Sequence, residues 1–307
     1  MPPYYIRNQL KGIGHLSKLE IPTIDELVQL CPDDKPVSHL AYPPTNPTLW
    51  IKYGFAILWS EIVAQHTAYE GLQRLKSPVR VPRIFCAHGI EYSVTYEGQE
   101  IRNPYIFIVM EYIPGDTAMM CIQKQLQSKE AIFAQIANAI KELNRLPVPP
   151  DSAPSAVNGD RIRHTMFGIN ESPCAYQNVQ QLEDHFNLFL QKTKRQGRVV
   201  NLANEPMIFC YSDIYLENFI IDKKGQVHVI DFADASYLPR SFQKLALFTS
   251  GEGLDDRTMA LFDVASAVDI DNTAALLDAV GPMVIGFSSF VTAGRTVVSG
   301  VAKTHST

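Results

Sequence analysis

Residues 206–240 read PMIFCYSDIYLENFIIDKKGQVHVIDFADASYLPR, and this stretch decides the fold. It contains three short apolar runs rich in strand-forming residues, at 207–211, 219–221 and 227–230. The turn between the second and third runs, DKKG at 222–225, has its glycine where a hairpin needs a positive φ. The pattern therefore predicts a strand, a loop and then a β-hairpin.

Polar side chains stand at the junctions of these predicted strands. Asp213 and Asn218 lie in the loop, and Asp231 follows the last strand. A carboxylate at Asp213 can orient and deprotonate an acceptor hydroxyl, while Asn218 and Asp231 offer oxygen ligands suited to Mg²⁺ that carries phosphate oxygens. The spacing D-x-x-x-x-N, followed after one hairpin by I-D-F, is typical of kinase phosphoryl-transfer sites. We predict a catalytic Asp213 and metal ligands at Asn218 and Asp231; a solvated hairpin with three chance polar residues is the alternative.

A lysine upstream fits the same chemistry. Lys52 lies in the strand-forming run 49–54, LWIKYG, and Glu61 begins a helical run within ten residues of it. A strand lysine anchored by a helix glutamate is the arrangement that pairs ATP phosphates in kinases. We predict that Lys52 and Glu61 contribute to nucleotide binding. Glu70, later on the same predicted helix, is the alternative partner.

Together these motifs resemble the aminoglycoside phosphotransferase and choline kinase branch of the protein-kinase-like superfamily. The forms FCYSD (209–213) and VIDF (229–232) are similar, more narrowly, to the fungal phosphotransferase-like group. The resemblance implies a bilobal α+β fold, with an antiparallel sheet and one helix in a small N-terminal lobe at 1–110. A hinge at 111–115 and a larger, mainly helical catalytic and acceptor-binding lobe at 116–307 would follow. It also implies ATP and Mg²⁺ as cofactors and a small-molecule hydroxyl acceptor.

The predicted hinge is marked by a sequence pattern of its own. The apolar run 105–110 predicts a buried strand, and the Pro-Gly pair at 114–115 ends it. The resemblance implies that the extended backbone after this strand reads adenine. The carbonyl of Glu111 would accept from the adenine amine, and the amide of Ile113 would donate to the ring.

Two departures from the family pattern keep other functions open. Most relatives have His-Gly before the catalytic aspartate, whereas this chain has Tyr211-Ser212. The region where a hairpin would cover the phosphates also lacks glycine between Gly14 and Gly54. One alternative is a catalytically weak or inactive kinase-like protein that binds a nucleotide or a partner. A protein kinase is a weaker alternative, because no A-P-E element follows Asp231.

Helical periodicity and capping residues predict the remaining elements. Helices are expected at 24–30 (capped by Thr23 with Glu26), 129–146 (capped by Ser128), 178–194, 256–268 and 271–280. The resemblance implies that the region before the catalytic loop walls the acceptor pocket. Phe167, Tyr176 and His185 are candidates for lining it, with core packing as the alternative for each.

Composition excludes several classes of protein. The 307 residues carry a formal net charge of −5, without the clustered lysine and arginine of a nucleic-acid surface. Five scattered cysteines and no C-x-x-C pair argue against a disulfide framework or a zinc site. The N-terminal sequence has no apolar signal core, and the apolar run near the C-terminus is too short and interrupted for a membrane span. We therefore expect a cytoplasmic protein with neither nucleic-acid nor membrane partners; the oligomeric state stays open.

Overall fold

The computed structural model describes residues 5–11, 20–31, 36–96, 99–250 and 270–285. The helices are α1 (Ile24–Leu30), α2 (Trp59–Arg74), α3 (Ala118–Gln123), α4 (Lys129–Asn144), α5 (Val179–Lys192), α6 (Ser241–Thr249) and α7 (Thr273–Ile285). The strands are β1 (Tyr5–Lys11), β2 (Ser38–Tyr42), β3 (Leu49–Gly54), β4 (Ile84–Tyr96), β5 (Gln99–Glu111), β6 (Gly115–Thr117), β7 (Ser155–Ala156), β8 (Met207–Tyr211), β9 (Phe219–Asp222), β10 (Val227–Val229) and β11 (Ala235–Pro239).

The predicted helices that fall within these ranges are confirmed, with ends that differ by a few residues. The predicted capping box of α1 is present: the Thr23 hydroxyl accepts from the Glu26 amide, and the Glu26 carboxylate accepts from the Thr23 amide. Ser128 caps α4 through the Ala131 amide. The helix predicted at 256–268 lies outside the described residues.

A five-stranded antiparallel sheet, in the order β1-β4-β5-β3-β2, forms the first part of the molecule. Side chains alternate between its faces, as the two-residue period of a strand requires. On β5, Tyr105, Phe107 and Val109 pack in the cluster that contains Leu27 of α1. Their neighbours Ile106, Ile108 and Met110 pack in a different cluster, which contains Ile62 of α2. Two helices therefore cover opposite faces of the sheet, where the family resemblance implied one; both were predicted separately, at 24–30 and at the run that Glu61 begins.

The same alternation decides where the β3 lysine points. Leu49, Ile51 and Tyr53 belong to the α1 face, and Trp50 packs on the α2 face. Lys52, two residues after Trp50, therefore faces α2. A one-residue change of register would bury this ammonium against α1 instead.

The second part is mainly helical and carries two three-stranded sheets, β10-β9-β6 and β7-β11-β8. The predicted strands β8, β9 and β10 are confirmed, with Gly225 at φ +76° in the turn between β9 and β10. Strand β11 was not predicted, and it pairs antiparallel with β8. Its sequence, ASYLP, follows a functional motif and contains a proline, which obscured its strand character.

Strand β10 also connects the two parts of the molecule. The Arg80 amide donates to the Val227 carbonyl, and the Val229 amide donates to the Arg80 carbonyl. The linker between α2 and β4 is thereby bound to the hairpin that ends at Asp231. The predicted mixed α+β class is confirmed. Within the described ranges, no helix has both the length and the apolar character needed to cross a bilayer.

Gly54 ends β3 at a place where a side chain has no room. Its φ is +150°, and a Cβ added there would overlap the Pro36 carbonyl oxygen. We expect Gly54→Ala to lower the free energy of unfolding by about 1–3 kcal/mol, because the backbone of residues 36–37 must move away. Urea denaturation measures this change.

Gly225→Ala is the matched control. Gly225 also has a positive φ, but a Cβ added there would have nothing within 4 Å, so the substitution adds only backbone strain. Equal destabilisation by both substitutions would contradict the close approach at Gly54.

Candidate active site

A cavity of about 440 Å³ lies between the α2 face of the sheet and the loops that follow β8 and β10. Six of the seven predicted site residues line it. They are Lys52, Glu61, Glu111, Ile113, Asn218 and Asp231. The seventh, Asp213, is hydrogen-bonded to Asn218 at the edge of the cavity.

Lys52 connects two carboxylates from distant parts of the chain. Its Nζ lies 2.5 Å from Glu61 Oε1 and 3.3 Å from Asp231 Oδ1. Burial disfavours the ammonium, but the two carboxylates outweigh this effect and raise the pKa of Lys52. Burial raises the pKa of Glu61, and the Lys52 ammonium offsets only part of that rise. The alternative partner, Glu70, is exposed on α2.

Asn218 fixes the loop that carries Asp213. The Asn218 Nδ2 donates to the Asp213 carbonyl at 2.9 Å and to Asp213 Oδ2 at 2.8 Å. Both bonds use the amide nitrogen, so the side-chain oxygen points away from Asp213. The Asn218 carbonyl in turn accepts from the Ile230 amide, which places this loop beside the residue before Asp231.

The electrostatic environment of Asp213 is unusual for an aspartate. Burial, together with the nearby charges of Asp231 and Asp234, raises the pKa of Asp213 to about 6. The bond from Asn218 favours the carboxylate, but it offsets only part of this effect. A carboxylate with such a pKa suits proton acceptance near neutral pH.

Asp231 occupies a left-handed backbone conformation, with φ +59°. Aspartate tolerates this region better than most residues, at a cost on the order of 1 kcal/mol. In this conformation Asp231 and the next residue, Phe232, point in different directions. Phe232 is fully buried and packs edge-to-face on Tyr211, with ring centroids 5.3 Å apart. The buried ring therefore anchors the turn while the carboxylate reaches the cavity.

Tyr211 is the residue that stands where the family pattern has histidine. It is fully buried, and its hydroxyl donates to the Ile230 carbonyl at 2.8 Å. Gln243 of α6 holds its backbone, accepting from the Tyr211 amide at 3.0 Å and donating to the Tyr211 carbonyl at 2.8 Å. Tyrosine therefore joins the Asp213 loop directly to the Asp231 turn.

Asp234 makes a second set of contacts with the Asp213 loop, and these contacts were not predicted. Its carbonyl accepts from both the amide and the hydroxyl of Ser212, at 3.0 and 2.9 Å. Its carboxylate accepts from Arg163 at 3.0 Å and from Asn170 at 2.6 Å. Asp234 lies only three residues after Asp231, but the partners of its carboxylate, Arg163 and Asn170, lie 71 and 64 residues earlier in the chain, and only the fold brings them together.

The hinge residues Glu111 and Ile113 share one orientation. The Tyr112 amide donates to the Thr48 carbonyl at 3.1 Å. In a trans peptide the preceding carbonyl points the opposite way, and in an extended chain so does the next amide. The Glu111 carbonyl and the Ile113 amide therefore both point away from Thr48.

Two aromatic residues that the sequence analysis did not single out, His39 and Trp50, stack on a wall of the same cavity, with ring centroids 4.6 Å apart.

The candidates for lining an acceptor pocket belong to the core instead. Phe167, Tyr176 and His185 are each buried, and the Tyr176 hydroxyl lies 2.7 Å from His185 Nδ1. Their packing with Phe186 and Phe242 supports the core alternative.

The donor set around the cavity fits a hard divalent cation. Asp231 is partly exposed to the cavity, and the Asn218 oxygen is left unused by the bonds to Asp213. Mg²⁺ is commonly held by one or two protein oxygens together with substrate phosphates. In the part of the chain that the structure describes, no group of three or more His, Cys, Asp or Glu residues forms a larger metal cluster.

Comparison with known protein families decides the relationship. The model of the phosphotransferase enzyme family matches residues 60–243, more than half of the chain. The chain belongs to the phosphotransferase enzyme family. The match covers α2, the hinge, the Asp213 loop and the Asp231 turn.

Solved structures similar to this phosphotransferase-family chain include two ternary complexes. One is a thermostable mutant of aminoglycoside phosphotransferase APH(4)-Ia with ADP and hygromycin B, at 10% identity, covering 90% of this chain and 93% of that chain, with a TM-score of 0.48. The other is spectinomycin phosphotransferase APH(9)-Ia with ADP and spectinomycin, at 11% identity, covering 88% and 84%, with a TM-score of 0.46. A comparison with curated proteins gave no match.

Substitution of Tyr211 tests the connection between the Asp213 loop and the Asp231 turn in this phosphotransferase-family chain. We expect Tyr211→Phe to lower the free energy of unfolding by about 1–2 kcal/mol, because the partly buried Ile230 carbonyl loses the hydrogen bond from the Tyr211 hydroxyl. Chemical denaturation measures the change.

Tyr237→Phe is the control. Tyr237 is also buried, but within the described residues its hydroxyl makes no hydrogen bond. If Tyr211→Phe proved as mild as Tyr237→Phe, the proposed connection between the two loops would be wrong.

Proposed function

We propose that this protein is an ATP-dependent phosphotransferase that moves the γ-phosphate to a hydroxyl of a small molecule. The observation that carries the proposal is the convergence of Lys52, Glu61, Asn218 and Asp231 on one cavity, with Asp213 bonded to Asn218 at its edge. Membership of the phosphotransferase family supports it.

Nucleotide binding uses both sides of the cavity. The Glu111 carbonyl and the Ile113 amide bind the adenine edge, and Lys52 neutralises phosphate charge while Glu61 holds its ammonium in place. Asn218 and Asp231 would hold Mg²⁺, which supplies charge neutralisation for the β- and γ-phosphates when bound. Most of the rate acceleration then comes from positioning and electrostatics.

Asp213 acts on the acceptor. Its carboxylate orients the hydroxyl and takes its proton as the oxygen bonds to the γ-phosphorus. The bond from that phosphorus to the β,γ-bridging oxygen breaks, and ADP leaves. Tyr211 and Gln243 hold the loop so that the carboxylate stays at the cavity edge.

The proposal extends to the organisation of the chain. Residues 1–110 form the nucleotide-binding lobe, 111–115 the hinge and 116–307 the catalytic and acceptor-binding lobe. The cytoplasmic location and the membership of the fungal group remain predictions from sequence.

One observation favours the second candidate, a nucleotide-binding protein without transfer activity. Strand β2 is the edge of the five-stranded sheet, and no described strand pairs beyond it to cover the phosphates. The departure at Tyr211-Ser212, in contrast, leaves the catalytic loop fully supported by hydrogen bonds. We therefore favour transfer over binding alone.

Asp213 carries the first prediction for the proposed reaction. Asp213→Asn should lower kcat/KM about a hundredfold or more, the scale of losing a general base. In the unchanged protein, kcat/KM for MgATP should fall as the pH drops through about 6, because protonation removes the base. In Asp213→Asn, kcat/KM should not show this fall at low pH. ADP release measured from pH 5 to 8 tests both effects.

Asp184→Asn is the control, because Asp184 is an exposed carboxylate on α5. Its kcat/KM should match that of the unchanged protein. An Asp213→Asn variant with full activity and the same fall in kcat/KM at low pH would disprove the assignment.

Nucleotide binding can be tested without an acceptor. MgATP should raise the melting temperature, and Asp231→Ala should abolish the magnesium-dependent part of the shift, because the variant lacks a metal ligand. Asp184→Ala should keep the full shift. No thermal shift at millimolar ATP in the unchanged protein would refute the nucleotide site itself.

A further inference from the structure

We propose that Glu217 binds the ribose hydroxyls of the nucleotide, so that the site selects ribonucleotides over deoxyribonucleotides. The inference rests on the proposed function, because it assigns a further residue of the same cavity and the part of the nucleotide that this residue recognises. It comes from the place of Glu217 between the two ends of the cavity and from its unpaired carboxylate.

The two ends of the cavity suit different parts of a nucleotide. At the hinge end, His39 and Trp50 stack with ring centroids 4.6 Å apart, and the ring centroid of Tyr112 lies 6.1 Å from that of Trp50. Aromatic rings suit a flat base. At the other end, Lys52 and Asp231 suit the phosphates and their Mg²⁺. Because the sugar joins the base to the phosphates, it must lie between these ends.

The backbone of Glu217 lies between the same two ends. Glu217 is the middle residue of a short 3₁₀ turn, Leu216–Asn218. This turn lies against β6, the strand at the end of the hinge, and it finishes at Asn218, the proposed metal ligand. Glu217 itself is exposed and lines the cavity. It therefore belongs to the stretch of wall that joins the base end to the phosphate end.

The geometry of the turn separates the Glu217 side chain from the metal end. Consecutive side chains of a 3₁₀ turn point about 120° apart. Leu216 is buried in the core, and Asn218 Nδ2 donates to Asp213 Oδ2 at 2.8 Å, so the Glu217 side chain takes a third direction. A carboxylate directly beside the triphosphate would also repel it. The uncharged sugar is therefore the part of the nucleotide that Glu217 suits.

The Glu217 carboxylate is free to bind a ligand. Among the described residues that line the cavity, it is the carboxylate that has no hydrogen bond or ion pair. Two of the other three bind Lys52, and Glu111 accepts from the Arg83 amide at 3.3 Å. A carboxylate has two acceptor oxygens and no donor, which fits the two adjacent hydroxyls of a ribose. Hydrogen bonds from hydroxyls to a carboxylate are stronger than those between neutral groups.

Asp116 on β6 is the competing carboxylate at the end of the hinge. Its Oδ1 lies 2.6 Å from the Lys124 ammonium, and within the described residues it is not part of the cavity lining. A ribose could obtain Asp116 only by displacing Lys124. The structure therefore favours Glu217, and Asp116 provides a matched control.

Nucleotide binding without an acceptor tests the assignment. Calorimetry compares MgATP with the magnesium complex of 2′,3′-dideoxy-ATP, which lacks both hydroxyls. We expect the unchanged protein to bind ATP about tenfold more tightly or better, because the analogue leaves the carboxylate without its donors. Equal affinities for the two nucleotides would overturn the inference and leave the proposed function standing.

Variants test whether Glu217 causes the preference. In Glu217→Ala the ratio of the two affinities should fall to about one, and in Glu217→Gln, which keeps one acceptor oxygen, it should be intermediate. A general change in the charge of the site would alter both affinities and leave their ratio unchanged. Asp116→Asn should keep the full preference for ATP. Melting temperatures without nucleotide verify that each variant is folded.

Two results would overturn the role of Glu217. One is a Glu217→Ala variant that still prefers ATP tenfold, and the other is an Asp116→Asn variant that loses the preference.

Binding also separates this inference from the proposed transfer reaction. A preference for ATP that disappears in Glu217→Ala, together with no ADP release for any hydroxyl acceptor, would refute transfer and support the inference. No binding of MgATP at millimolar concentration would refute both.

Discussion

The ion contacts of Lys52 are the constraint on which the rest of the structure depends. A largely buried ammonium is tolerated only with anionic partners, and it has Glu61 at 2.5 Å and Asp231 at 3.3 Å. Lys52 and its two partners come from three separate pieces: β3, which is an inner strand of the sheet, the first turn of α2 and the turn after β10. The pieces can meet only if β3 keeps its register and the Arg80 linker stays bound to β10. Lys52 bonds directly to Asp231, so the residue predicted to serve the nucleotide lies beside a residue predicted to serve the metal.

The Asp213 loop shows how one supporting residue can replace another. Without the histidine of the family pattern, the Tyr211 hydroxyl reaches the Ile230 carbonyl, and Gln243 holds both polar backbone groups of Tyr211. Ser212 is bound twice to the Asp234 carbonyl. The loop that presents Asp213 is therefore fixed from three directions. Activity does not depend on a histidine at this position if rigidity is what the histidine supplies.

Asp234 also connects the Asp213 loop to the segment 163–171. Its negative charge contributes to the raised pKa of Asp213, and its pairing with Arg163 and Asn170 holds the segment 163–171 in place. One buried carboxylate residue therefore influences both the proton affinity of Asp213 and the position of the loop that carries it.

The sequence by itself determined the local elements, and it predicted six of the residues that line the cavity. Capping residues and periodicity located α1, α2, α4 and α5, and the spacing of Asp213, Asn218 and Asp231 followed from one hairpin, because these features depend on neighbours a few residues apart. Only the tertiary structure decided that Glu61 and not Glu70 meets Lys52, that Phe167, Tyr176 and His185 are core, and that Arg163 and Asn170 close on Asp234. Those outcomes depend on which helix and sheet faces pack together, and no short stretch of sequence records that.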